Sequence, residues 1–266
     1  MDGLPIEVRD VGFAYGDRNV LHDLSFGVRQ GETLAILGPN GCGKSTLLAL
    51  LRGVLAPTRG QIRLFGGAPG DMRRAEVARR VAVVPQMLSP TFGFSVLEFV
   101  GMGRYPHLGA FGAVREADRR AVKRAMDLTD TTALASRPVM ELSGGEFQRV
   151  ALARAVAQEA AVLLLDEITS HLDLDHTVEV ANLLLRLNRD ERITVVQVSH
   201  DLGLASQTSH RLLLLDRSGG VVAVGPPEQV LTQECLARVY RAPLTVERDP
   251  TSGRARVFPL LGQRAG

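Results

Sequence analysis

Apolar and polar positions alternate along IEVRDVGFAY (6–15) and again along LHDLSFGVRQ (21–30), with the turn-forming GDRN between them. A period of two buries one face, so both segments are read as half-buried strands. The pattern then changes. TLAILG (33–38), VAVVPQ (81–86), AVLLLDE (161–167), ITVVQVSH (193–200) and RLLLLD (211–216) are short, unbroken apolar runs. Such runs mark strands covered on both faces. After the first of them, Leu47, Leu48, Leu50, Leu51 and Val54 recur at helical spacing, and Gly53 and Pro57 end the helix. Between residues 90 and 160 helices and loops replace strands, with READRRAVKRAMDL (115–128) the most evident helix. Beyond Asp216 the pattern predicts a hairpin through RSGG, a loop GPPEQV, a helix to Tyr240 and a last hairpin turning at Asp249–Gly253.

Strands alternating with helices at both ends of the chain, around a helical insert, predict an α/β fold. The expected organisation is one domain over 1–266. Its core and β subdomain lie in 1–88 and 160–240, a helical subdomain in 89–159, and a C-terminal hairpin tail in 241–266.

Composition narrows this only a little. The chain has 31 Lys+Arg against 29 Asp+Glu, too balanced for the concentrated basic face of a nucleic-acid binder. Two cysteines, Cys42 and Cys235, supply no disulfide framework and fit a reducing compartment. MDGLPIEVRD lacks the basic start and apolar stretch of a secretory signal. Runs such as AAVLLL fall far short of the roughly 20 residues a membrane helix needs. The expected location is cytoplasmic, with any membrane role supplied by a partner.

The chemistry begins at GPNGCGKST (38–46), which satisfies G-x-x-x-x-G-K-[ST] through Gly38, Gly43, Lys44 and Ser45. A buried strand precedes it and a helix follows, the setting in which glycine-rich backbone and a helix N-terminus cradle phosphate oxygens. Lys44 is expected to reach the β and γ phosphates and the Ser45 hydroxyl to hold Mg²⁺. Pro39, Asn40, Gly41, Cys42 and Thr46 complete the loop, and alkylation of Cys42 is expected to block nucleotide binding.

Asp166 and Glu167 close the AVLLLDE strand, and in a parallel sheet the carboxyl ends of strands face the ligand crevice. Asp166 is expected to hold Mg²⁺ and Glu167 to accept the proton of the water attacking the γ phosphate. Gln86 and His200 end two further strands. Gln86 is a candidate to position water or Mg²⁺, and His200 a candidate γ-phosphate sensor.

LSGGEFQRVALARA (142–155) reads physically as a helix start, with Ser143 as N-cap and Glu146 three residues on. Gly144 and Gly145 let a phosphate approach its first turn. LSGGE, between the phosphate loop and a strand ending in Asp-Glu, resembles the signature of ATP-binding cassette proteins. The resemblance runs the length of the chain. Tyr15 matches the aromatic residue that stacks on adenine, residues 38–46 Walker A, and Gln86 the Q-loop. Residues 142–146 match the signature, 162–167 Walker B with the catalytic glutamate, Asp173 the D-loop and His200 the switch histidine. The resemblance implies a P-loop cassette with a RecA-like core, an antiparallel β subdomain and a helical subdomain. It also implies ATP and Mg²⁺ as ligands. A head-to-tail dimer would place Ser143, Gly144, Gly145 and Glu146 of one copy on the nucleotide of the other.

The chain is similar, within that family, to cassettes of ferric siderophore, haem and cobalamin importers. The shared features include VPQ, FSVLEFVGMGRYPHLG, READRRAVKRAMDL and the HDL that begins at His200. That resemblance implies transmembrane permease subunits and, through them, a substrate-binding protein. A soluble iron–sulfur assembly ATPase is the alternative. One departure stands out: DEITSHLD (166–173) carries Ile168 where the family has proline, which restores a backbone N–H and frees φ. GMGRYPHLG (101–109) is expected to be a loop that docks the permease through Tyr105 and His107. Arg115, Arg119, Arg120, Lys123 and Arg124 are read as a solvated helix face.

Overall fold

The computed structural model describes residues 4–86, 93–108, 112–170 and 172–260. Gly109 of GMGRYPHLG, His171 of DEITSHLD and residues 261–266 of the expected tail lie outside them. In chain order the first elements are β1 (Ile6–Tyr15), β2 (Arg18–Val28), β3 (Thr33–Leu37), α1 (Lys44–Leu51) and β4 (Arg59–Leu64). Next come α2 (Arg74–Arg80), β5 (Val81–Val84), α3 (Val96–Gly101), α4 (Glu116–Leu128), α5 (Gly144–Ala157), β6 (Val162–Asp166) and α6 (Leu174–Glu191). The chain continues through β7 (Thr194–Val198), α7 (Leu202–Thr208), β8 (Arg211–Leu215) and β9 (Val221–Gly225). It ends with α8 (Pro227–Val230), α9 (Gln233–Val239), β10 (Leu244–Arg248) and β11 (Ala255–Pro259).

The chain divides into two compact units, Met1–Asp71 with Thr194–Gly266, and Met72–Ile193. In the first, β1 lies between β2 and β4 in an antiparallel sheet. Tyr15 pairs with Arg18 across a two-residue turn whose Gly16 has φ +56°. The turn is therefore tighter than GDRN suggests, and Arg18 and Asn19 join β2. Beside this sheet in sequence, β3 runs parallel to both β7 and β8, and β9 returns antiparallel on β8. All five residues of β3 are buried. Leu37, Leu212 and Leu214 pack with Val230, Leu231, Leu236 and Val239 into one core, with Ala255 of the C-terminal hairpin beneath them. GPPEQV is not the expected loop: its last four residues form α8, because Pro227 at N1 has its φ already set for a helix.

In the second unit β5 and β6 pair in parallel, Val84 opposite Leu165. Helices α3, α4 and α5 share an apolar core of Val96, Phe99, Val100, Val122, Ala125, Met126, Val139, Val150, Ala153 and Ala157. This unit is wider than the helical stretch 89–159, because β5, β6 and α6 go with it. No helix among the described residues is long and apolar enough to cross a membrane.

Candidate nucleotide site

In the first unit, β3 ends at Leu37 and the chain turns through Gly38–Gly43 into α1. Lys44 is buried, and its Nζ donates to the carbonyls of Gly38 at 2.9 Å and Pro39 at 3.1 Å. The lysine is thus held at the mouth of its own loop. Gly43 caps α1 with φ +99°, and a Cβ there would lie 2.6 Å from Leu21 Cδ2. Both the dihedral and the approach of β2 require glycine. The Gly41 α-carbon faces open space and Asn40 and Ser45 are exposed. A helix start also directs backbone N–H groups outward and favours anions, so the loop fits phosphate.

Cys42 is 1% exposed, and burial raises its thiol pKa against the opposing pull of Lys44. The thiol is therefore not the open target that its place in the loop implies. Tyr15 ends β1 with its ring exposed and set edge-on to Phe13 at 4.7 Å and 85°, a flat surface free to stack. His200 follows β7, is exposed, and leaves the sheet at the end from which the loop leaves β3, since Ser199 N donates to Ile36 O.

The second unit assembles the other candidates. The parallel register of β5 and β6 brings Gln86 and Asp166–Glu167 to the same edge. There Gln86 Nε2 donates to Glu167 Oε2 at 2.8 Å. Glu167 has φ +52°, and its carbonyl accepts both the backbone N–H and the hydroxyl of Ser170, at 3.0 and 2.6 Å. A tight turn thus fixes this backbone without proline. Ile168, 5% exposed, fills the apolar interior instead. Gln86 and Asp166 in this unit offer amide and carboxylate oxygens, and Ser45 in the first unit a hydroxyl, each a hard donor of the kind Mg²⁺ takes.

Ser143 caps α5 with its Oγ accepting Glu146 N at 3.3 Å, while Glu146 Oε2 accepts Ser143 N at 2.8 Å. This reciprocal pair lowers the Glu146 pKa, and Arg137 at 2.9 Å adds to it. Gly144, Gly145 and Asp173 lie in the same unit, with Asp173 capping α6.

GMGRYPHLG is not a plain loop. Met102–His107 form a 3₁₀ turn continuous with α3. Arg104 is buried, bonding Asp118 at 3.0 Å, the Ala157 carbonyl at 2.7 Å and Glu159 at 2.7 Å. His107 Nε2 lies 2.8 Å from the Gln158 carbonyl, and Arg79 Nε donates to the Pro106 carbonyl at 2.7 Å. Among the described residues of this stretch only Tyr105 is exposed, at 63%. It borders a groove of about 720 Å³ lined by Phe94, Leu97, Met102, Leu108, Val114 and Val122. Arg119 and Lys123 of α4 reach this groove, so part of that charged face is not simply solvated.

Sequence reasoning missed three side chains: Arg104, Arg137 and His176. Arg104 gave no signal, since an arginine between glycine and tyrosine reads as surface. His176 could have been found from its position three residues after the helix-capping Asp173, the spacing of a capping pair.

Residues 21–170 match the ABC transporter family. The chain belongs to that family. It is 45% identical over 247 residues to the hemin import ATP-binding protein HmuV of Streptomyces coelicolor, covering 92% of this chain and 86% of that one. It is 39% identical to the ferric enterobactin transport ATP-binding protein FepC of Escherichia coli, over 92% of this chain and 90% of that one. Among solved structures, a metal-chelate type ABC transporter in an inward-facing conformation superposes with a TM-score of 0.85 at 33% identity. The match covers 98% of this chain and 99% of that one.

Proposed function

We propose that the chain is the ATP-hydrolysing subunit of an importer that takes up ferric siderophore, haem or cobalamin through a separate permease. One observation carries the import reading: the relatives that align over nine-tenths of the chain are named as import or transport ATP-binding proteins for hemin and ferric enterobactin.

Tyr15 stacks on adenine, and residues 38–46 wrap the phosphates with Lys44 as their cation. Ser45, Gln86 and Asp166 hold Mg²⁺, which when bound neutralises phosphate charge. Glu167, oriented by Gln86, takes the proton of the attacking water, and His200 senses the γ phosphate. Ser143, Gly144, Gly145 and Glu146 close on the nucleotide of a second copy, with Asp173 alongside. The groove beside Tyr105 receives a permease segment. Its apolar floor suits an apolar helix, and Arg119 and Lys123 at its border suit acidic residues on that segment. The subunit so works at the cytoplasmic face of the membrane.

The test is reconstitution with its permease in liposomes that carry each of the three solutes and the matching binding protein in turn. ATP-dependent uptake of one solute, abolished by Glu167→Gln, is expected. ATP hydrolysis without uptake of any of the three would reject the import assignment.

A further inference from the structure

The two glycines that open α5 touch the segment that opens α6. A Cβ on Gly144 would lie 3.8 Å from Leu172 Cδ2, an ordinary contact. A Cβ on Gly145 would lie 1.9 Å from His176 Cδ2 and 2.4 Å from its Cγ. Gly145 sits in the first turn of a regular helix, so its dihedrals do not demand glycine. The imidazole does, because it occupies the space of any side chain at 145. The other edge of the ring is fixed as well. His176 Nδ1 lies 2.6 Å from Asp173 Oδ1, and the same oxygen accepts the His176 backbone N–H at 2.9 Å. A carboxylate only accepts, so Nδ1 carries the proton.

We propose that His176 is a positioning residue for ATP hydrolysis, clamping the Asp173 turn to the Gly144–Gly145 turn of the same chain. The two then reach the nucleotide of the second copy as one body. This rests on the reading of the chain as a dimeric cassette. The ring supplies two things at once: its Cδ2 side against the Gly145 α-carbon and a donor to Asp173. Neither alanine nor a purely apolar ring supplies both.

The full-length protein tests the clamp through His176→Ala, His176→Asn and His176→Phe, with kcat and KM for ATP measured for each. A misplaced group far from the reacting atoms can cost up to about 100-fold. His176→Ala is accordingly expected to lower kcat about 10-fold or more, with KM for ATP changed less than about 2-fold. Asparagine keeps a side-chain N–H donor to Asp173 and restores part of kcat, whereas phenylalanine keeps ring volume without the donor and does not. An unaltered kcat in His176→Ala would overturn the proposal, and so would rescue by phenylalanine equal to that by asparagine. Should the alanine variant fail to fold, the asparagine–phenylalanine comparison decides. Wild-type hydrolysis and an ATP-dependent dimer of Glu167→Gln run in the same series. Loss of those would reject the cassette reading itself, while a silent His176→Ala beside them rejects only the clamp.

Discussion

Gln86 donates its side-chain amide to Glu167 Oε2 at 2.8 Å, joining the segment just beyond β5 to the residue that follows β6. The proposed general base is thus held in place by a neutral amide donor. Glu167→Gln removes the proton acceptor but keeps the shape, so turnover should fall by more than about 100-fold. ATP should then accumulate a stable dimer, visible by size-exclusion chromatography. A variant that stayed monomeric with ATP would rule out the sandwich mechanism. Gln86→Ala removes the orienting bond and one proposed Mg²⁺ ligand but keeps the carboxylate, and should cost less, about 10-fold in kcat.

Arg104 and Asp118 form an ion pair with side chains 7% and 6% exposed. Removing one partner of a buried pair typically costs about 3–5 kcal/mol. Arg104→Ala also strips a donor from the Ala157 carbonyl at the end of α5. Urea unfolding should show a loss of this order, with ATP binding by the intact fraction retained.

The same pair gives a pH dependence. The Asp118 pKa is lowered first by the Arg115 backbone N–H and then by Arg104. A carboxyl depressed in the folded state contributes stability that is complete above its unfolded value, about pH 4. That contribution is lost as pH falls through the lower folded value. Acid unfolding followed by circular dichroism should therefore be less steep below about pH 4 in Asp118→Asn than in the wild type.

Cys42 lies in the phosphate loop yet is buried, with its thiol pKa raised by that burial. Less thiolate at neutral pH and little access both slow alkylation. Iodoacetamide should modify the half-buried Cys235 before Cys42, as read by peptide mass spectrometry. The Cys42 rate should climb with pH, and nucleotide should slow it further.

Tyr105 and His107, two residues apart in GMGRYPHLG, should respond differently. Tyr105→Ala removes an exposed ring at the groove and should impair transport while leaving the ATPase of the isolated subunit close to wild type. His107→Ala removes a hydrogen bond to the Gln158 carbonyl. It should lower stability by about 1 kcal/mol, read as a shift in the thermal midpoint.

Much of this was legible in the residues. The alternation of IEVRDVGFAY gave β1 within its observed bounds, and Ser143 with Glu146 gave the cap of α5. Local patterns of this kind need no knowledge of what packs against them. β4, RGQIRL, was not legible, because only Ile62 and Leu64 are buried and Gly60 takes φ +75°. Its strand character comes from pairing with β1. Likewise nothing local distinguishes Arg104 from an exposed arginine. Its burial is decided by Asp118 and Ala157, 14 and 53 residues away. For His176 the capping spacing from Asp173 is local, but its ring meets Gly145 only once α5 and α6 are formed.

Hinges need slack, and the 3₁₀ turn at 102–107 has almost none. Arg104 grips Ala157, Arg79 grips Pro106, and His107 grips Gln158. Three of its residues are thus tied to neighbouring elements on either side of the exposed Tyr105 ring. From that turn the 14 residues of α5 run unbroken to the Ser143 cap. The groove and the turn proposed to close on phosphate thus sit at opposite ends of one helix.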